Sequence, residues 1–124
     1  MRFDHVQVSC PPGGEDAARA FYLGVLGIPE VPKPPVLAAR GGCWFREGGE
    51  QGVPGGVEIH VGIEAEFAPA RKAHPALVVD DIDLLAVRTA EAGFPVRWDD
   101  NLPGRRRFHT EDGNGNRVEI LAGP

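Results

Sequence analysis

The segment Ala73-His74-Pro75-Ala76-Leu77-Val78-Val79-Asp80-Asp81, with its continuation to Gly93 and Pro95, decides the fold. Ala73–Val79 is a short apolar run bounded by polar residues and reads as a strand. Asp80 or Asp81 then caps a helix over Asp81–Ala92, because Ile82, Leu85, Ala86, Thr89 and Ala90 fall on one stripe at helical spacing. Gly93 stops that helix, and Pro95 prevents its resumption. The same order occurs at the N-terminus. Phe3–Ser9 reads as a strand and Glu15–Leu26 as a helix with Ala18, Phe21, Tyr22 and Val25 on its stripe. Gly27 and Pro29 end it.

Downstream of each helix the pattern turns to short strands. Val57–Val61 and Arg117–Ala122 are the clearest, joined by Leu37–Ala39, Cys43–Arg46, Val96–Trp98 and Arg106–Glu111. Gly48-Gly49, Gly55-Gly56 and Asp112-Gly113-Asn114-Gly115 are turn chemistry between them. Glu30–Pro35 reads as an extended loop, and Glu64–Lys72 as a linker holding a helical turn. Strand, helix and three strands therefore occur twice. Landmarks recur in the same order: His5 with His74, Gly27-Ile28-Pro29 with Gly93-Phe94-Pro95, and Val57-Glu58-Ile59 with Val118-Glu119-Ile120. That is an internal duplication. The expected fold is α+β. Two βαβββ modules, 1–63 and 73–124, make one domain over 1–124 with linker 64–72, forming a curled mixed sheet with helices on its outer face.

Composition narrows the function. Thirteen Lys and Arg against eighteen Asp and Glu leave a net charge of −5, which argues against a nucleic-acid partner. No apolar run has membrane-span length, and the first residues lack the apolar core of a secretory signal, so the expected location is cytoplasmic with no membrane association. Cys10 and Cys43 are too few for a zinc-binding cluster and read as reduced, partly buried residues.

Side chains alternate between the two faces of a strand. In each module one face is apolar: Val6 and Val8, Val57, Ile59 and Val61, Leu77 and Val79, Val118 and Ile120. The other carries His5 and Gln7, Glu58 and His60, His74, and Glu119. If the two sheets curl toward each other, His5, Glu58, His74 and Glu119 converge on one cavity. A lone His or Glu on a strand is ordinarily a solvated residue; recurrence at matching repeat positions is what singles out these four. Imidazole and carboxylate together suit zinc, manganese, iron(II) or nickel.

The chain resembles the vicinal oxygen chelate superfamily, which includes glyoxalase I, extradiol dioxygenases, and bleomycin and fosfomycin resistance proteins. The resemblance spans essentially the whole chain. It is carried by Phe3-Asp4-His5-Val6-Gln7-Val8, Ala20-Phe21-Tyr22, Val25-Leu26-Gly27, His74 through Asp81, Ala92-Gly93, and Asp112 through Ile120. It implies a divalent-metal site with His5, His74 and Glu119 as ligands and Glu58 as the fourth. It also implies Glu119 as proton-transferring base, and a homodimer. Gly113 stands where the family often has Pro. His60 lies on the same face as Glu58 and competes for the fourth position; the repeat match favours Glu58. His5, His74 and Glu119 alone would also satisfy a facial triad. No glutathione-binding set is recognisable.

Gln7, His60, Arg107 and His109 are expected to line the substrate side. Within Arg105-Arg106-Arg107, an anion clamp competes with a solvated hairpin, and the hairpin reading is preferred. Arg71-Lys72 reads as a solvated linker. Trp44 and Trp98 are either pocket walls or core, core being the commoner case. Two functions are thereby expected to compete. One is a metal-dependent glyoxalase-like or dioxygenase-like enzyme acting on a small molecule with neighbouring oxygens. The other is a metal-free small-molecule binder of the bleomycin-resistance type.

Overall fold

The computed structural model describes residues Met1–Pro124, which divide into two compact units, Met1–Ala68 and Pro69–Pro124. Each holds one open, four-stranded mixed sheet with helix packed on it, an α+β architecture. In the first unit, β1 (Val6–Cys10) runs parallel to β4 (Glu58–Ile63), which pairs antiparallel with β3 (Cys43–Arg46). The short β2 (Glu30–Val31) closes the row against β3. In the second unit, β5 (Ala76–Val79) runs parallel to β8 (Arg117–Ala122). There β8 pairs with β7 (Arg107–Glu111), and β7 with β6 (Arg97–Asp99). The orders β1-β4-β3-β2 and β5-β8-β7-β6 are the same topology repeated.

The helices bury the stripes read from sequence. Helix α1 (Glu15–Tyr22) buries Ala18, Phe21 and Tyr22, and the Tyr22 ring lies 5.5 Å from that of Phe45 on β3. Phe45, Ile59 and Val61 are fully buried with it, so the helix covers the apolar face of its sheet. Helix α3 (Ile82–Glu91) likewise buries Ile82, Leu85, Ala86 and Thr89, and the apolar face of its sheet is built on Phe108, Val118 and Ile120. Its N-cap is Asp81, whose side chain accepts from the Leu84 N–H at 2.9 Å. Its end is a Schellman turn: the Phe94 N–H reaches Thr89 C=O, the Gly93 N–H reaches Ala90 C=O, and Gly93 supplies the required positive φ of 89°.

Several boundaries differ from the sequence reading. Leu37–Ala39 is not a strand: Pro35–Ala38 forms a single helical turn, α2, because Pro35 presets the first helical φ and Pro34 C=O accepts from the Leu37 and Ala38 N–H groups. Glu30–Pro35 is not wholly loop, since Glu30 and Val31 pair with Phe45 and Trp44, burying Val31. The linker holds a turn at residues 65–66 but no helix. Helix α1 proper ends at Tyr22, after which the Leu23 and Gly24 N–H groups both reach Arg19 C=O. Strands β1 and β5 begin later than expected, at Val6 and Ala76, so His5 and His74 lie just ahead of their strands. Pro75 has no N–H to give the ladder, although its C=O still accepts from the Glu119 N–H at 3.0 Å.

The turn before β8 is organised by one buried carboxylate. Asp112 Oδ1 accepts from the N–H groups of Asn114 and Asn116, and Oδ2 accepts from Asn116 Nδ2 at 2.9 Å. The Asp-Gly-Asn-Gly-Asn run is thus structural: it sets the β7–β8 register in which Glu111 faces Arg117 and His109 faces Glu119.

Candidate metal centre

Glu119 lies mid-β8 on the face away from α3, between Ala76 of β5 and His109 of β7 in register. His74 reaches it from ahead of β5: its Nε2 lies 3.0 Å from Glu119 Oε2. His109 Nε2 lies 4.0 Å from the same oxygen. One ligand atom from each of His74, His109 and Glu119 falls within 4.8 Å of the others. His109 and Glu119 are buried, whereas the His74 side chain is 24% exposed, so the cluster opens at the histidine.

The hydrogen bonding at His74 bears on what fits there. Its Nδ1 donates to Lys72 C=O at 2.6 Å, an atom that can only accept. Its Nε2 faces a carboxylate. A neutral imidazole has one N–H, so with Nδ1–H given to the carbonyl, Nε2 presents its lone pair to the space beside Glu119, as a metal ligand must. A histidine anchored through one nitrogen to a backbone carbonyl, with the other aimed at a carboxylate-lined space, has the usual orientation of a metal ligand. Two imidazole nitrogens and a carboxylate oxygen fit a divalent transition ion.

Arg107 holds the other side of the carboxylate. Its Nη1 donates to Glu119 Oε1 at 2.9 Å and its Nη2 to Asp99 Oδ2 at 3.3 Å, leaving a buried Nε without a partner. Burial pushes the Glu119 carboxyl up, but hydrogen bonds from Arg107 and His74 outweigh it and hold the group below the ordinary glutamate range. Burial lowers His109, and the charge of Arg117 adds to that.

The first unit places its groups differently. His60 is buried between two rings: its centroid lies 3.9 Å from that of His5 and 3.8 Å from that of Trp44, both near-parallel. His60 Nε2 lies 2.9 Å from Glu58 Oε1, and burial lowers its pKa. Glu58 is gripped by Arg46, whose Nε and Nη2 donate to its two oxygens at 2.8 and 3.0 Å. That fork, helped by His60, depresses Glu58 to about 2 despite partial burial. Gln7 is exposed and stands opposite His60 in the β1–β4 ladder.

Strand register revises the repeat. His5 precedes Gln7, the partner of His60, by two residues; His74 precedes Ala76, the partner of Glu119, by two. Position for position, Glu119 therefore corresponds to His60, and Glu58 corresponds to Arg117. The match of Val57-Glu58-Ile59 with Val118-Glu119-Ile120 is two residues out of register, because Val-x-Ile alternation repeats every second residue along a strand. Trp44 corresponds to His109, as each is the β3 or β7 partner of that position. Sequence reading placed His109 on the substrate side and did not group it with His74 and Glu119. Counting residue pairs back from the Asp112–Asn116 turn gives the His109–Glu119 pairing. Of the four groups expected to converge, His74 and Glu119 meet in the second unit. In the first unit, Glu58 is committed to Arg46 and His60, and His5 to its ring contact with His60.

A glyoxalase family protein from Bacillus anthracis has 42% sequence identity to this chain, covering 100% of it and 96% of that protein, with a TM-score of 0.88. The chain belongs to the glyoxalase family. That places it in the vicinal oxygen chelate superfamily. More distant structures share this family member's fold. They include the genomically encoded fosfomycin resistance protein from Listeria monocytogenes, at 14% identity and TM-score 0.74, covering 100% of this chain and 94% of that one. They also include an antibiotic binding protein from a Streptomyces species, at 24% identity and TM-score 0.63, covering 100% and 99%. No family model and no curated protein matches the sequence. No helix is long and apolar enough to cross a membrane.

Proposed function

We propose that this glyoxalase family member is a divalent-metal-dependent enzyme of the glyoxalase or dioxygenase type, acting on a small molecule that presents two neighbouring oxygens. The observation that carries the reading is His74, with one ring nitrogen satisfied by Lys72 C=O and the other facing Glu119 beside His109. In this reading His74, Glu119 and His109 hold the ion in the second unit. His5 and Glu58, with His60 as the alternative that register favours, are the ligands assigned to the first. The donor chemistry admits zinc, nickel, manganese or iron(II).

A bound ion supplies Lewis acidity toward the paired substrate oxygens. Glu119 is the base. Arg107 keeps it ionised near neutral pH and holds Oε1; Oε2, on the histidine side, is the oxygen that would ligate, and it accepts a proton when it is released from the ion. Asp99 steadies Arg107 from the opposite side. Gln7 is kept for contact with substrate, as is His60 where Glu58 is the ligand.

A metal-free binder is the second reading. The observation favouring it is that the first unit's groups are satisfied among themselves, His60 sandwiched between His5 and Trp44 and Glu58 held by Arg46, while Arg107 already neutralises Glu119.

Calorimetric metal titration of the purified chain tests the choice. The enzyme reading expects stoichiometric uptake that is lost in His74→Ala and Glu119→Gln. Absence of uptake after careful loading with each of the four metals leaves the binder. A screen of carbonyl, catechol and thiol-adduct compounds on the loaded protein then separates glyoxalase from dioxygenase chemistry. Sedimentation at working concentration checks the proposed homodimer, which a monomeric result overturns.

A further inference from the structure

The second unit carries a cavity of about 680 Å³ beside His109, a volume suited to a small organic ligand. Three arginines line it: Arg71, Arg97 and Arg117. Their neighbours decide which are available. Arg97 is paired with Glu111 at 3.2 Å. Asp99 is occupied by Arg107 and by the Asn101 N–H at 2.7 Å. Arg71 and Arg117 enter no salt bridge, and the cavity's remaining acid is the exposed Asp100.

Strand geometry relates this cavity to the metal-binding cluster. Arg97, His109 and Glu119 form one row across β6, β7 and β8, and Arg117 lies two residues before Glu119 on the same face. Same-face neighbours on a strand are about 7 Å apart. Arg71 comes from the segment leading to His74, which is held near the β7–β8 turn: Pro69 Cγ lies 3.2 Å from where a Cβ on Gly115 would sit.

We propose that this cavity takes an anionic group of the substrate, a carboxylate or phosphate, held by Arg71 and Arg117. This rests on the reading of His74, His109 and Glu119 as the place of the neighbouring oxygens. It deepens that reading: the substrate is an acid whose charged group lies beside its oxygen pair, on the Arg117 side of Glu119. Guanidinium forks bind both carboxylate and phosphate oxygens through paired N–H donors.

The test is equilibrium binding of three probes to the full chain, manganese-loaded and metal-free. The probes are catechol, 3,4-dihydroxybenzoate and 3,4-dihydroxyphenylphosphonate. The native protein is expected to prefer at least one charged probe over catechol by about tenfold at low salt, less as salt rises. Which charged probe is preferred assigns carboxylate or phosphate. Arg71→Gln with Arg117→Gln is expected to reduce that preference to within about twofold, with catechol affinity and the circular dichroism spectrum unchanged. The control Arg40→Gln keeps the preference. Equal affinity for all three probes in the native protein overturns the proposal, as does a preference that survives the double variant or the absence of any binding. Metal uptake and catechol binding without charge preference sink the cavity and leave the metal reading intact. Charge preference without metal uptake does the reverse.

Discussion

The two units share one topology and fill its equivalent positions with different chemistry. Where the second unit has Glu119 flanked by His74 and His109, the first has His60 between His5 and Trp44. Where the first has Arg46 opposite Glu58, the second has Glu111 opposite Arg117, the charges exchanged. A sheet face constrains where side chains point, not what they are. Duplication therefore preserved a row of positions on the sheet face away from the helix and left each copy free to diverge. The second copy brings His74, His109 and Glu119 together. The first gained an aromatic stack and a tightly paired carboxylate.

The largest expected effect tests whether the two apolar faces are equally demanding. Phe45→Ala and Phe108→Ala each remove a fully buried ring, and each should lower unfolding free energy by about 3–5 kcal/mol in urea titrations. A much smaller loss in one unit would show that its core collapses around the gap.

The second contrast is at the carboxylates. Glu119→Gln should weaken metal affinity by about 100-fold or more, beyond the 10–100-fold typical of outer-shell losses. Glu58→Gln, whose oxygens are already committed to Arg46 and His60, should cost less. Equal losses would restore Glu58 to the rank that repeat matching assigned it.

A smaller effect should appear in acid. Arg46 holds Glu58 at about 2, below the ordinary glutamate value of 4.5. A depressed carboxylate stabilises the fold above its unfolded pKa, and that contribution is lost as pH falls through the folded one. The loss should therefore run from about pH 5 down to about pH 2. Arg46→Gln should shift the acid-unfolding midpoint upward and flatten stability across this window. An unchanged acid profile would show that the fork contributes nothing to folding.

The smallest contrast concerns helix starts. Asp81 caps α3, whereas Gly14 at the start of α1 has no side chain to do so. Asp81→Ala should cost about 1 kcal/mol by thermal denaturation. A negligible change would make the two starts equivalent.

Much of this architecture is legible in local sequence. The Ile82–Ala90 stripe, the Asp81 cap and the Gly93–Pro95 stop each depend on a few neighbouring residues, and the structure keeps all three. Strand β2 was not legible, because two residues, Glu30 and Val31, carry no period. Helix α2 was missed because Val36-Leu37-Ala38 has the composition of a strand while Pro35 sets the backbone. His5, His74 and Glu119 were legible as chemistry-bearing residues. Their partners were not, since a one-dimensional match cannot distinguish registers that differ by a full pleat.

Local patterning establishes that strand–helix–three-strand modules occur twice, and which face of each strand is apolar. Periodicity and end signals are properties of adjacent residues, so they survive without a partner in view. Tertiary structure alone decided that Glu119 meets His109, that Glu58 belongs to Arg46, and that His60 holds the position equivalent to Glu119. Cross-strand pairing joins residues far apart in the chain. Its register is set by turns such as Asp112–Asn116 and by burial, neither of which a short motif records.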